Sequence, residues 1–440
     1  MIIFDNIAAL SKMTLVFFII LLAIRRRFSL GSAFLLGAVG LGLIFGAGPL
    51  TILKSILGSM IHPKALSLAL IVSLILVLSH SMEMAGQMRR LLDSFQGLIR
   101  SPRINMVVFP ALIGLLPMPG GAIFSAPMVR TLGARLRLSG TQLSYVNYWF
   151  RHIWEYWWPL YPGVLLTVTI ADLNLWVFVL FLTPLTLVAV CAGYWPLKAF
   201  RSVSRETEDR QADPSRPSPG PFLRELVPII IAIGLGIGMG IVISVLARSN
   251  PAVSPIAKEI GLIVALCVAI GWVWHRNRIG GSQKGALLKN RQLLRMIYMV
   301  LALLAFKGVL VQSRAVEAIS QELLGLNIPL FVITVLLPFL VGGVVGITIV
   351  FVGTTVPILI SLIQSFGEGH FILAYMMLAL ASGFAGVLLS PLHVCLLLSN
   401  EFFGTTLVAV YRYLWVPCLV LLGCSMAYFL LLHWVGGLTT

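Results

Sequence analysis

The sequence predicts an all-α protein that crosses a membrane many times. Of its 440 residues, 59% are hydrophobic and only 10% are charged, and the mean hydropathy is +1.00. A soluble protein of this size needs a polar shell that so few charges do not supply. Several apolar runs reach the roughly 20 residues that a helix needs to cross a bilayer. The alternating pattern typical of a membrane barrel is not seen.

The chain divides into two halves with the same order of predicted elements, residues 1–200 and 222–440, joined by a polar linker at 201–221. Each half has three scaffold spans, a short interfacial helix, a hairpin, a long broken helix and a last span. In the first half these lie at about 7–24, 30–49, 64–86, 89–101, 103–131, 140–170 and 173–196. In the second half they lie at about 222–247, 256–274, 292–312, 314–326, 328–364, 370–399 and 411–434.

Proline spacing supports this internal repeat. The three prolines of the hairpin and broken helix are separated by 17 and 32 residues in the first half and by 19 and 34 in the second. They are Pro110, Pro127 and Pro159, and Pro338, Pro357 and Pro391. A chance match of the spacings is conceivable, but a chance match that also keeps the order of elements is much less so.

The two hairpins are predicted to be re-entrant, entering the membrane part-way and returning to the same side. The uncharged stretch 323–367 is 45 residues long and is interrupted by glycines, so it does not fit a single span. Non-helical backbone at membrane depth is tolerated only where protein or water satisfies its polar groups. The helix-breaking residues therefore predict a cavity near the membrane centre.

The net charge of +16 comes from basic residues in the loops. The positive-inside rule explains this charge in a membrane protein, so no nucleic-acid partner is expected. With two re-entrant hairpins and ten crossings, 23 of the 31 Lys and Arg residues fall in cytoplasmic loops and six fall outside. This distribution predicts inverted repeats, with both termini outside the cytoplasm and the linker inside.

Two stretches resemble an uncharacterised prokaryotic family of integral membrane proteins, residues 117–129 (PMPGGAIFSAPMV) and 382–393 (SGFAGVLLSPLH). That family is placed in the ion transporter superfamily with gluconate, citrate, dicarboxylate and lactate permeases. The resemblance implies an elevator-type transporter in the inner membrane, often a homodimer. The dicarboxylate branch carries Ser-Asn-Thr at each hairpin tip, whereas this chain has Pro-Gly-Gly and Gly-Thr-Thr, which argues against a dicarboxylate substrate.

The candidate substrate-binding residues on the hairpins are those expected at the two tips. They are Pro119, Gly120, Gly121 and Ser125 on the first hairpin, and Gly353, Thr354 and Thr355 on the second. Glycine lets a ligand approach the backbone closely, but it also permits tight helix packing. Threonine hydroxyls in membranes often bond to their own helix, which is the alternative interpretation for Thr354 and Thr355.

The broken helices supply the other candidates, Arg151, His152 and Glu155 in the first half and Ser390 and His393 in the second. An ionisable residue at membrane depth is a functional hypothesis by default. The alternatives are an internal Arg151–Glu155 ion pair at i and i+4 and structural roles for the histidines. Neither this spacing nor the five cysteines, all within apolar segments, predicts a metal site.

Together these patterns predict a secondary active transporter of a small organic anion, driven by sodium or protons. No cofactor is expected, although a sodium ion near Gly120, Gly121 and Thr354 is a candidate. An ion channel, or a sodium/proton antiporter without an organic substrate, is the alternative. An enzyme is not predicted, because the sequence contains neither His-Glu-x-x-His nor Gly-x-Ser-x-Gly.

Overall fold

The structure, a computed structural model, describes residues 8–96, 98–99, 101–118, 121–198, 219–250 and 253–437. These residues form α-helices joined by short connections, and no strand occurs among them. The helices of the first half are α1 (Ala9–Arg25), α2 (Leu30–Ile44), α3 (Pro49–Ile61), α4 (Pro63–Met84), α5 (Gln87–Gln96), α6 (Pro102–Gly114), α7 (Ala122–Arg135), α8 (Gly140–His152), α9 (Pro162–Ala171) and α10 (Leu175–Lys198).

The second half also contains ten described α-helices. Its helices are α11 (Pro219–Leu246), α12 (Ala257–Arg276), α13 (Gly281–Leu288), α14 (Arg291–Gln312), α15 (Ala315–Gly325), α16 (Leu330–Val345), α17 (Thr348–Ser365), α18 (Ile372–Leu388), α19 (Val394–Phe403) and α20 (Leu407–Gly437). Each helix of the first half has a counterpart ten helices later. The short helices α3 and α13 are not predicted by the sequence pattern, which indicates a loop at α3 and a basic connection at α13.

The all-helical membrane class is confirmed. In the described part of the chain, eight helical segments are long and apolar enough to cross a membrane. The remaining apolar helices, such as α9, α16 and α19, have 10 to 17 residues. Helices this short are typical of segments that end inside the membrane region rather than crossing it. Most of the 201–221 linker lies outside the described residues, and α11 begins within its last three residues.

Local sequence explains where the helices break. A capping box formed by Ser139 and Gln142 begins α8. Between α8 and α9 the chain passes through turns that include Pro159, and between α18 and α19 it passes through Ser390 and Pro391. Proline disfavours helical backbone in the residue before it and lacks an N–H for the ladder, so each long segment becomes two half-helices.

The half-helices α9 and α19 each pack on helices of the opposite half of the chain. Helix α9 packs against α17 and α18, while α19 packs against α7 and α8. Packing between the two halves of the chain therefore occurs in both directions, with a half-helix from each half on the other. It brings the non-helical segments of both halves to one region in the middle of the molecule.

The remaining helices form a scaffold around α4, α12 and α14. Helices α11 and α12 approach closely at glycines, and a Cβ at Gly261 would lie 2.6 Å from the Cα of Gly240. Close approach at small residues is how membrane helices gain packing energy. At one end of the scaffold Glu225 accepts from Arg276 at 2.6 Å and lies 3.4 Å from Arg90. At the other end Lys64 pairs with Asp172 at 2.5 Å.

Candidate functional site at the junction of the broken helices

Four non-helical segments meet in the middle of the molecule. They are 115–118 and 121 in the first hairpin, 153–161 between α8 and α9, 346–347 in the second hairpin and 389–393 between α18 and α19. The hydroxyl of Tyr161 donates to the carbonyl of Gly114 at 2.6 Å. A Cβ at Gly346 would lie 2.7 Å from Ser390 Oγ. Each hairpin tip therefore contacts the break in its own repeat.

Arg151 lies at the centre of this junction and is only 3% exposed. Its Nη2 donates to the carbonyl of Met118 at 2.6 Å, and its Nη1 lies 3.3 Å from His152 Nε2. Its Nε has no hydrogen-bond partner among the described residues. A buried guanidinium is costly unless an anion compensates it, and here the polar contacts come from a carbonyl and an imidazole.

The alternative interpretation, an internal Arg151–Glu155 ion pair, does not occur among the described residues. Helix α8 ends at His152, so residues 153–157 form turns and the i, i+4 relation of a helix no longer holds. In the described part of the chain no ion pair within 4 Å joins the two side chains; Glu155 instead lies 3.8 Å from His152. The helix break therefore separates a guanidinium and a carboxylate that a continuous helix would have paired.

Glu155 connects the two repeats. Its Oε1 accepts from the hydroxyl of Thr348 at 2.8 Å, at the first residue of α17. A Cβ at Gly163 would lie 2.6 Å from Thr348 Cγ2, so the start of α9 also touches this residue. Glu155 is 16% exposed, more than Arg151 or His152. It is thus the ionisable side chain of the junction that is most open to the surroundings.

His152 and His393, which come from the two repeats, are in direct contact. Their Nε2 atoms lie 3.1 Å apart and their rings meet edge to face. His152 Nδ1 lies 2.6 Å from the carbonyl oxygen of Tyr148. Since a carbonyl only accepts, this Nδ1 carries a proton. Both histidines are buried.

A metal at this junction is disfavoured by charge. The ligand atoms of His152, His393 and Cys395 lie within 4.8 Å of one another. Two imidazoles and a thiol are a donor set that soft metals accept. However, Arg151 Nη1 lies 3.3 Å from His152 Nε2, which sets a fixed positive charge beside the nitrogen that would bind the metal.

The structure describes two of the four candidates on the first hairpin. Pro119 and Gly120 lie outside the described residues. Gly121 lies directly against Arg151, since a Cβ there would be 2.5 Å from Nη2 and 2.7 Å from Nε. Ser125 is buried farther along α7, where its hydroxyl donates to Asn147 Oδ1 at 2.5 Å.

The tip of the second hairpin lies at Gly346 rather than at the predicted residues 353–355. Helix α16 ends at Val345, and its C-cap Gly346 has φ +70°, a conformation that glycine adopts readily. Gly353 instead lies inside α17, packed closely against Leu303. The hydroxyls of Thr354 and Thr355 bond to carbonyls of their own helix at 2.9 and 2.8 Å. A sodium site shared by Thr354 and Gly121 has no support in this placement.

Ser390 is buried at the break between α18 and α19. Its Oγ accepts from the backbone N–H of Leu392 at 3.2 Å and packs against Gly346. This contact links the second hairpin tip to the segment that holds His393. Ser390 therefore organises the backbone of the break.

Several buried polar residues near the junction were not predicted. Asn147 Nδ2 donates to Ser399 Oγ and to the carbonyl of Ala122, both at 2.9 Å, and Ser144 donates to Asn400 Oδ1 at 2.6 Å. These bonds join α8 to α19 and α7. The sequence signal is a pair of polar residues within an otherwise apolar segment. Ser144 and Asn147 are three residues apart, and Ser399 and Asn400 are adjacent.

Four helices have their N-termini at the junction: α7, α9, α17 and α19. Among the described residues none of the four has a side-chain capping hydrogen bond. Uncapped N–H groups and the positive ends of helix dipoles are favourable for anions. The electrostatic character of the junction is therefore positive on several sides, with Glu155 at its edge.

Residues 9–432 match the model of a protein family described as a protein of unknown function, DUF401. The chain belongs to this family. Among solved structures, the chain is similar to the YdaH transporter of Alcanivorax borkumensis, whose description mentions an unusual topology. That match has 15% sequence identity and a TM-score of 0.45, and it covers 86% of this chain and 87% of the other. No curated protein matches the sequence.

Proposed function

We propose that this DUF401 protein is a secondary active transporter of a small organic anion, and that Arg151 is the cation that binds the anion. The observation that carries the proposal is the guanidinium itself. It is almost completely buried, has no carboxylate within 4 Å among the described residues, and keeps an Nε without a partner. A carboxylate is the group that a guanidinium fork binds best.

The helix termini support the same conclusion. An anion beside Arg151 would also face the uncapped start of α7, because Gly121 lies against the guanidinium. Half-helix N-termini that point at an anionic group near the membrane centre are the usual binding arrangement of secondary transporters. A channel needs no such pair of pseudo-symmetric breaks.

The inverted-repeat arrangement is part of the proposal. Helix α9 ends at Asp172, beside Lys64 at the start of α4, while α19 ends beside Arg130, whose guanidinium lies over the ring of Phe402. The carbonyl of Ala189 on α10 accepts from the Trp149 indole. The Tyr145 hydroxyl donates to the carbonyl of Gly193, so α10 runs from the level of Trp149 toward the start of α8, and its Asp172 end lies about 20 Å away in the opposite direction at 1.5 Å per residue. The end of α19 lies at the start of α8, since a Cβ at Gly140 would touch the carbonyl oxygen of Phe403. Opposed directions of α9 and α19 are what inversion requires.

An elevator motion fits the division of contacts. The hairpins and broken helices pack mainly on one another and on α10 and α20, whereas α2, α4, α11, α12 and α14 pack among themselves. Polar contacts between these two groups are few and lie near one end, such as the Lys64–Asp172 pair and Lys307 Nζ with the carbonyl of Ile170 at 3.4 Å. We propose that the first group moves against the second in a homodimer of the prokaryotic inner membrane, within the ion transporter superfamily.

Counterflow in proteoliposomes tests the proposed function. Purified protein is reconstituted with an excess of one unlabelled anion inside, and uptake of the same labelled anion is followed for lactate, gluconate, citrate and succinate. A transporter accumulates label transiently above the equilibrium level for at least one of these anions, and it does so without a membrane potential. A channel only equilibrates the label, and a sodium/proton antiporter takes up none of them.

A further inference from the structure

The contact between His152 and His393 leaves one hydrogen-bonding position unfilled. His152 Nδ1–H donates to Tyr148, so in the neutral ring its Nε2 is an acceptor. The Nε2 of His393, 3.1 Å away, must then carry the proton between them. The remaining nitrogen, His393 Nδ1, is consequently an acceptor, and it has no partner among the described residues.

One added proton would complete this arrangement. Protonation of His393 Nδ1 forms an N–H bond whose proton comes from water, and it leaves the histidine pair with a charge of +1. In the neutral pair His393 Nδ1 remains a buried acceptor without a donor among the described residues, and this is the position where the added proton binds.

The charge of Arg151 opposes that proton. Its Nη1 lies 3.3 Å from His152 Nε2, and two positive charges at such a distance in a buried site repel strongly. Glu155, 3.8 Å from His152 Nε2 and partly exposed, acts in the opposite direction. An anion bound to Arg151 would cancel the repulsion.

We propose that His152 and His393 form one proton-binding site and that an anion on Arg151 strengthens its hold on the proton, so that the protein carries a proton together with its anion. The inference rests on the proposed function and names its coupling ion. Uptake places a proton on the pair when the anion binds. Loss of the anion restores the repulsion and returns the proton to water on the other side.

The other titratable groups around the pair leave this assignment intact. They are Tyr148 on α8, Tyr161 at the start of α9, Cys395 on α19, and Tyr411 and Cys418 on α20. The hydroxyls of Tyr148, Tyr161 and Tyr411 donate to backbone carbonyls. Imidazole is the side chain whose ordinary pKa lies near neutral pH, so the two histidines are the groups assigned to exchange the proton.

The first test needs no substrate. Protein labelled with ¹⁵N-histidine is titrated by NMR in lipid nanodiscs over about pH 4 to 9, where imidazole changes charge. We expect His152 and His393 to take up one proton between them with a common midpoint. Arg151→Gln should raise proton affinity ~10-fold or more because it removes a nearby positive charge. Arg151→Lys should not, and Glu155→Gln should lower the affinity.

Two results would overturn the shared site. One is a separate titration midpoint for each histidine that stays unchanged when the other histidine is replaced by glutamine. The other is the same midpoint for Arg151→Gln, Arg151→Lys and the wild type. If changes at the buried Arg151 prevent folding, the titration of Glu155→Gln still tests the coupling, because Glu155 is partly exposed. A titration unaffected by its removal would also contradict the electrostatic coupling.

The second test separates coupling from binding. Uptake of citrate, gluconate, lactate and succinate is driven by an imposed pH gradient and compared with counterflow in the same proteoliposomes. His393→Gln should lose gradient-driven accumulation, while His275→Gln, which changes an exposed histidine at the end of α12, should retain both counterflow and accumulation. Gradient-driven accumulation by His393→Gln would refute the proton site and leave the anion site standing. Absence of counterflow in the wild type would instead refute the proposed function.

Discussion

A single methyl group at position 121 should displace the guanidinium that is proposed to bind the anion. In Gly121→Ala the new Cβ would lie 2.5 Å from Arg151 Nη2 and 2.7 Å from Nε. Carbon and nitrogen atoms prefer about 3.5 Å, so the guanidinium must move by about 1 Å. The backbone at Gly121 has φ −54° and ψ −18°, which alanine adopts without strain. The effect therefore comes from the side chain alone.

The displacement should break the hydrogen bond from Nη2 to the carbonyl of Met118, which is 2.6 Å long. Hydrogen bonds to charged groups contribute about 1.5 to 3 kcal/mol. If that energy holds Arg151 in its binding position, the apparent affinity for the transported anion should fall about 10- to 100-fold. Counterflow at increasing concentrations of the anion measures this loss.

A matched control is Gly343→Ala in the second hairpin. A Cβ at Gly343 meets the carbonyl oxygen of Gly386 at 3.7 Å, which is ordinary contact, so this variant should keep wild-type affinity. Thermal stability of both variants shows that each is folded. Wild-type affinity in Gly121→Ala would mean that the position of the guanidinium does not matter for the anion.

Thr348→Val should weaken the apparent affinity for the anion about tenfold, because it removes the hydrogen bond between the second hairpin and the first broken helix. Thr354→Val on the same helix should have little effect. Counterflow measures the apparent affinity of both variants. A cysteine introduced within 201–218 should react with an impermeant maleimide only after the cells are opened, as the inverted topology requires. Asp172→Asn should lower thermal stability at pH 7 by no more than about 1 kcal/mol, because the Lys64–Asp172 pair is exposed to solvent.

The difference in stability between the wild type and Asp172→Asn should become smaller as the pH falls. In the folded protein the hydrogen bond from Lys64 lowers the pKa of Asp172 below its ordinary value. A group with a depressed folded pKa stabilises the protein above its unfolded pKa and loses that contribution as the pH falls through the folded value. Wild type and Asp172→Asn should therefore converge only below about pH 4, and a difference that persists there would contradict the assignment.

Equal losses in Thr348→Val and Thr354→Val would indicate a general effect of threonine on α17 rather than a cross-repeat contact. Labelling of the linker cysteine in intact cells would contradict the inverted topology.

The order of helices could be read from the sequence because it depends on local signals. Apolar length marks the spans, and the prolines mark the breaks, so the first hairpin was expected at 103–131 and occurs as α6 and α7. Helices α3 and α13 were missed because they are short and lie against the scaffold. The second tip was misplaced because Gly346, with its positive φ, and Gly353, which packs on Leu303, look alike in a sequence.

The contacts between the two halves could not be predicted. His152 and His393 are 241 residues apart and meet only because each half-helix packs on the opposite repeat. Thr348 was overlooked for the same reason, since its partner Glu155 is 193 residues away. The Arg151–Glu155 spacing suggested a pair that the end of α8 prevents.

The central claim is that Arg151 binds the anion, and the Arg151→Gln/Glu155→Gln double variant tests it most directly. Removing both charges keeps the net charge of the junction and removes the cost of an uncompensated buried ion. The variant should therefore be as stable as the wild type, yet show little counterflow of any anion that the wild type exchanges. Wild-type counterflow by the folded double variant would contradict the account and assign anion binding to the hairpin backbone alone.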